Sequence, residues 1–206
     1  NDATRFLHHL LSKTFIIGLK SWHHASVQAT LILAAGQGRR FGGPKAPYIF
    51  QGKRLVDRAV ENSRDAGIDK VFVVLGAWVG EVPNAELIIN QNWQEGMGSS
   101  LRVGLTELIS HSEIEEVLVS LVDLPDLNGA LFSRIAKCPG RLVAATYKGV
   151  RGHPVKIGRR HWIPIIETLS GDSGAKDYLN SHASELVLVE VGDLATGEDL
   201  DVKVND

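Results

Sequence analysis

From residue 27 onward the chain alternates apolar, strand-like runs with amphipathic, helix-like runs, and this alternation narrows the fold more than any other feature. Val27 to Ala34 (VQATLILA), Val71 to Leu75 (VFVVL), Ala85 to Ile89, Val117 to Val122 (VLVSLV), Leu142 to Thr146 and Leu186 to Val191 read as strands. Between them, Leu55, Ala59 and Val60 share one helical face, and Leu101, Leu105, Leu108 and Ile109 share another. Further helical stretches fall around residues 129–137, 161–169 and 174–182. Strand and helix in repeated order predict an α/β three-layer sandwich on a mostly parallel sheet. No internal repeat or low-complexity tract interrupts the pattern.

Composition then removes several functional classes. The 206 residues carry 22 Lys and Arg against 24 Asp and Glu, a net charge of -2, so no basic excess points to nucleic acid. A single cysteine, Cys138, excludes an internal disulfide framework and a Cys-rich zinc site. No apolar run approaches the roughly 20 residues of a membrane span, and the chain reads as cytoplasmic. Residues 1–26 stand apart and hold four of the eight histidines. Phe6, Leu7, Leu10, Leu11 and Phe15 would suit one amphipathic helix, while Lys13 and two histidines spoil a signal peptide. The expectation is an N-terminal extension over 1–26, without chemistry, and one domain over 27–206.

The first strand runs into Leu31 to Lys45, LILAAGQGRRFGGPK. Gly36, Gly38, Gly42 and Gly43 let backbone N–H groups approach an anion closely, and Arg39, Arg40 and Lys45 add positive charge. Ligands of α/β sheets sit beyond the carboxyl ends of strands, where this loop lies. Two phosphate motifs are excluded: Ala46 follows Lys45 where the Walker pattern needs Ser or Thr, and Phe41 takes the third glycine place of GxGxxG. The strand at 117–122 ends in Asp123-Leu124-Pro125. A carboxylate at a buried strand tip needs a cation or donors, and Mg²⁺ suits it; a turn-forming Asp before Pro125 is the plain reading. In NQNWQEGMGSSL (90–101), the Gly96-Met97-Gly98 turn and Ser99-Ser100 can offer donors at a helix start, or either serine can merely cap the helix at Leu101.

LAAGxGxRFGGxK resembles the signature loop of the MobA-like nucleotidyltransferases, and within them the molybdenum cofactor cytidylyltransferases. WxxGMxxSL at 93–101, GHPV at 152–155 and Gly171-Asp172-Ser173-Gly174-Ala175, with Lys176 where the pattern has Arg, follow in the family's order. The resemblance implies a Rossmann-like sheet of the GT-A type. It implies that Leu33, Ala34, Ala35, Gly36, Gly38 and Asn90 wrap the nucleotide and that Arg40 and Lys45 neutralise its triphosphate. It makes Asp123 the principal Mg²⁺ ligand, with Mn²⁺ as a substitute. Gly98, Ser99, Ser100 and His153 would meet the acceptor, although His153 can equally hold its loop and Asp172 reads as a helix N-cap. The family's closing DIDTPEDL, whose second Asp completes the metal site, is here Asp193-Leu194-Ala195-Thr196-Gly197-Glu198-Asp199-Leu200. Ala195 cannot bind metal, so either Asp193 substitutes or water does. The implied reaction joins CTP to the terminal phosphate of molybdopterin and releases pyrophosphate, CTP being favoured over GTP because the strand ends in LAAG rather than LAGG. An acceptor molybdoenzyme or its chaperone would receive the product. The alternatives are a transferase using GTP or a sugar-phosphate acceptor, and a non-catalytic molybdenum cofactor-binding protein.

Overall fold

The computed structural model describes residues 27–169, 171 and 174–203. The expected N-terminal helix and the Asp172 cap lie outside these residues. Seven strands form the central sheet: β1 (Val27–Leu33), β4 (Lys70–Leu75), β5 (Glu86–Ile89), β6 (Ile114–Leu121), β7 (Leu142–Tyr147), β8 (Val150–Gly158) and β9 (Leu186–Glu190). Two short strands, β2 (Ile49–Phe50) and β3 (Lys53–Arg54), make a separate hairpin. The sheet order is β5-β4-β1-β6-β8-β7-β9, and only β8 runs antiparallel to its neighbours. This is a mostly parallel Rossmann-like sheet with helices on both faces.

The alternation along β1 sorts its residues between the two faces. Ala29, Leu31 and Leu33 point to a layer made by α2 (Met97–Ser110), α4 (Trp162–Thr168) and α5 (Lys176–Ser181). Ile32 and Ala34 point the other way, to α1 (Leu55–Asp65), with α3 (Gly129–Lys137) alongside. Leu31 is fully buried against α2, where a Cβ on Gly104 would lie 2.6 Å from its side chain. Burying a side chain of this size is worth about 1.5–3 kcal/mol. The glycine is what lets the helix come that close.

Chain order fixes where a ligand can sit. From β1 the chain moves outward to β4 and β5, then returns across β1 to form β6 on its other side. The loops leaving β1 and β6 therefore diverge and open a crevice at the carboxyl ends of these two strands. Two elements depart from the sequence expectation. Strand β8 carries the GHPV motif, read above as a loop, because Gly152, His153, Pro154 and Lys156 break any apolar run. Helix α2 starts at Met97, four residues before Leu101, and no side chain caps it.

Candidate functional site

At the end of β1, the backbone turns through Ala34 to Gly38 and closes on itself. Gly42 and Gly43 N–H groups both donate to the Gly38 carbonyl, at 2.9 and 3.1 Å. Gly38 has φ +60°, and a Cβ there would fall 2.1 Å from the Gly43 oxygen, so no other residue fits the turn. Gly36 is different: a Cβ would meet nothing within 4 Å and would project into the open cleft. Ala34 N–H donates to Val74 O, Ala77 N–H donates to Ala35 O, and these bonds fix the strand end.

Lys45 closes the loop. Its Nζ donates to Asp123 Oδ2 at 2.8 Å and lies 3.7 Å from Asp201, with only 14% of its side chain exposed. Asp123 follows β6, so the ion pair joins the exits of the two diverging strands. Around it lies a cleft of about 450 Å³, bounded on one side by Leu33 to Arg39 and on the other by Trp93, Gln94, Gly96, Met97 and Ser100. Leu33, Ala34, Ala35, Gly36, Gly38, Lys45 and Asp123 all line this cleft. Arg40 does not: its side chain is 85% exposed and reaches toward Asp201 at 3.5 Å, while the neighbouring Arg39 lines the wall.

The 90–101 segment divides its polar groups between scaffold and cleft. Asn90, expected beside the nucleotide, is instead 2% exposed and fully occupied. Its amide donates to Ser99 Oγ and Ser100 Oγ at 2.9 and 3.0 Å, and its Oδ1 accepts from Asn92 N–H. Ser99 Oγ bonds back to the Asn92 and Gly96 carbonyls, so it neither caps α2 nor faces the cleft. Gly98 is buried and spends its N–H on the Gly171 carbonyl. Of the two serines, only Ser100 lines the cavity.

A second cavity of about 460 Å³ adjoins the first. Leu101, Val119, Val155, Ile157 and Leu179 give it an apolar floor, and Arg151, His153 and Lys176 supply its polar rim. Desolvation pushes the His153 imidazole down to a pKa of about 4; Arg151 adds to this and Asp123 opposes it. The ring is therefore neutral at pH 7, a hydrogen-bonding group and not a cation. Tyr147 fixes this segment: its hydroxyl donates to the His153 carbonyl at 2.6 Å, and its ring fits between Gly152 and Gly197, where a Cβ would come within 2.9 and 2.5 Å.

The chain's closing segment returns to Asp123, and here the structure corrects the sequence reading. The Asp193 carboxylate is already engaged: Arg134 grips both of its oxygens at 2.6 and 2.9 Å and holds its carboxyl below the usual range. Ala195 packs against the α3-side core. Leu200 N–H donates to the Asp123 carbonyl at 2.8 Å, which brings Asp199 and Asp201 to the site. Partial desolvation, then the negative charges of Asp123 and Asp201, raise the Asp199 carboxyl, against the pull of Lys45 and Arg40. In the sequence Asp199 stood inside the closing motif without being singled out, and Asp201 lay immediately beyond it. Trp93 and Met97 were legible only as fixed positions of the WxxGMxxSL motif, and Arg151 and Tyr147 went unremarked, since each reads as an ordinary surface or core residue.

Comparison with known proteins identifies the lineage. The MobA-like NTP transferase domain matches residues 30–186. The chain is 35% identical over 187 residues to the nicotine blue oxidoreductase of Paenarthrobacter nicotinovorans, covering 83% of this chain and 90% of that protein. It is 29% identical to a probable molybdenum cofactor guanylyltransferase of a Geobacillus species, over 53% of this chain and 56% of that protein. Among solved structures, a nucleotidyl transferase from Methanothermobacter thermautotroptrophicus superposes with a TM-score of 0.72 at 18% identity, covering 85% of this chain and 92% of that one. The chain belongs to the MobA-like NTP transferase family.

Proposed function

We propose that the chain transfers CMP from CTP to the terminal phosphate of molybdopterin and releases pyrophosphate. The observation that carries this reading is the Lys45–Asp123 pair at the foot of a glycine loop, where β1 and β6 diverge. The triphosphate lies against the 34–38 backbone, where Gly36 leaves room for it, and Lys45 neutralises charge that builds on the departing pyrophosphate. Arg39 and Arg40 add positive potential at the rim. The acceptor occupies the adjoining cavity, within reach of His153 and Lys176. An oxygen of its phosphate forms the bond to the α-phosphorus as the bond to the β-phosphate oxygen breaks. That oxygen is already anionic, so alignment and charge neutralisation suffice without a protein base.

The donor set suits a hard divalent cation, Mg²⁺ with Mn²⁺ as substitute. Asp123 Oδ1 has no hydrogen-bond partner among the described residues, and the raised Asp199 carboxyl marks a local excess of negative charge. Such an ion takes one or two carboxylates and completes its shell with water and substrate phosphates. Asp123 and Asp199 would hold it; when bound, it supplies charge neutralisation on the phosphates.

Pyrophosphate release is to be measured with CTP, GTP and ATP, each with Mg²⁺ and molybdopterin, in wild type and Asp123→Ala. CTP-selective release that disappears in the variant is the expected result. GTP selectivity would keep the chemistry and reverse the base assignment; release by the variant at the wild-type rate would end the metal-ligand role of Asp123. A second reading rests on the relative named nicotine blue oxidoreductase. Redox chemistry on a ring-bearing small molecule would need an external electron carrier, and a reduced nicotinamide dinucleotide is a nucleotide diphosphate that the same loop could cradle. Consumption of that dinucleotide with a dye acceptor, in the absence of pyrophosphate release, would select it.

A further inference from the structure

The loop that leaves β6 and the closing segment of the chain lie side by side and are stitched together. Asn128 Nδ2 donates to the Leu194 carbonyl at 2.9 Å, and Leu200 N–H donates to the Asp123 carbonyl at 2.8 Å. Between these two bonds, Asp126 Oδ2 accepts from Thr196 N–H at 2.5 Å, Thr196 Oγ1 at 2.6 Å and Gly197 N–H at 3.3 Å. Asp126 Oδ1 is buried and has no partner among the described residues, so the carboxylate spends all of its bonding on the tail. The Thr196 hydroxyl also accepts from Glu198 N–H at 3.2 Å. The backbone is therefore tied at Glu198 and again at Leu200, on either side of Asp199. Gly197 permits this arrangement: its φ is +70°, and a Cβ there would fall 2.5 Å from the Tyr147 ring. Proline, which the family's closing motif has at this place, lacks the N–H and cannot take that φ.

Resting on the proposed metal-dependent transfer, we infer that Asp126 is a positioning residue that holds Asp199 beside Asp123 and so sets the affinity of the site for its divalent cation. A carboxylate on an untied tail loses conformational freedom each time it takes up an ion. Fixing the backbone before and after Asp199 removes that cost in advance. Hydrogen bonds to an ionised acceptor are stronger than neutral ones, which suits an anchor made by a single side chain. Asp126, Thr196 and Gly197 line neither cavity, so the anchor acts through Asp199 and not through the nucleotide. Ala195 leaves the tail without a carboxylate at the place where the motif has one, and this anchor brings in the carboxylate four residues later.

The test is a Mn²⁺ titration of the full chain with CTP present, followed by electron paramagnetic resonance. It compares wild type with Asp126→Ala, Asp126→Asn, Asp199→Ala and the double variant Asp126→Ala/Asp199→Ala. Asp126→Ala should weaken Mn²⁺ binding by about tenfold. The double variant should bind no more weakly than Asp199→Ala alone, because the anchor then has nothing to hold. Asp126→Asn keeps an acceptor oxygen and should stay within about threefold of wild type. In pyrophosphate release, Asp126→Ala should raise the Mg²⁺ concentration needed for half-maximal rate by the same factor, with kcat at saturating Mg²⁺ within about twofold. Should Asp126→Ala not fold, Thr196→Val removes one of the three bonds and should give a loss of about threefold. Wild-type Mn²⁺ affinity in the folded Asp126→Ala variant, or losses that multiply in the double variant, would overturn the positioning role and leave the cation site standing. A wild type that binds no Mn²⁺ with CTP, or binds it as tightly after Asp123→Ala, would overturn the cation site and the positioning role together.

Discussion

Two lysine–carboxylate pairs occupy opposite ends of the same sheet, and they are held in different ways. Lys45 meets Asp123 at 2.8 Å in a cleft, with one carboxylate oxygen unclaimed and Asp201 nearby. At the other end Lys156 and Glu116 are both buried, and their charged atoms are 3.9 Å apart. Lys156 donates to the Ala136 and Cys138 carbonyls, while Glu116 accepts from Gln28 and Arg141. Desolvation lowers the Lys156 pKa, only partly offset by Glu116. The lower pair is saturated by its surroundings and has nothing left to offer a ligand. The upper pair has spare valence and solvent access. Unsatisfied coordination, not the presence of a pair, separates a site from a scaffold.

The sharpest way to break that comparison is to cut one carboxylate from each pair. Asp123→Ala should lower transfer by about a thousandfold or more while leaving the melting temperature close to wild type. Glu116→Ala should do the reverse, removing about 3–5 kcal/mol in urea unfolding by stranding a buried lysine, with normal turnover per folded molecule. If the two variants fail in the same way, the distinction between the ends is wrong. Within the loop, Gly38→Ala should cost about 1–3 kcal/mol, because φ +60° and the 2.1 Å approach to the Gly43 oxygen forbid the methyl. Gly36→Ala should change stability by less than about 0.5 kcal/mol yet weaken CTP binding, since its methyl enters open space. Calorimetry beside thermal melting separates the two effects.

A further effect concerns pH. His153 has a folded pKa near 4 against 6.5 for a free imidazole. The unfolded chain therefore binds this proton first as the pH falls. Stability from the neutral ring is complete above about pH 6.5 and is lost as the pH drops toward about 4. His153→Gln should flatten the wild-type decline in melting temperature over that window, and an unchanged slope would place the titration elsewhere.

The sequence displayed the frame because parallel strands buried on both faces read as continuous apolar runs, as VLVSLV and VFVVL do. It hid β8, where Gly152, His153, Pro154 and Lys156 leave a single valine, Val155, over residues 152–156. The glycine loop was legible because the turn and the cleft both demand glycine, at Gly38 and Gly36. Asn90, Ser99 and Ser100 were not separable by sequence, since a buried amide holding two hydroxyls and an amide facing a ligand are the same residue type. Asp199 was hidden by distance: only the Leu200–Asp123 hydrogen bond tells which tail carboxylate comes back to the site.

That returning bond has a consequence for the order in which the molecule is made. The strand that ends in Asp123 is synthesised well before the segment that pins it, and at about 5–20 residues per second several seconds separate them. Through that interval Asp199 and Asp201 are not yet available to complete the surroundings of Lys45 and Asp123. The segment around Leu200 thus acts as a clasp across Asp123.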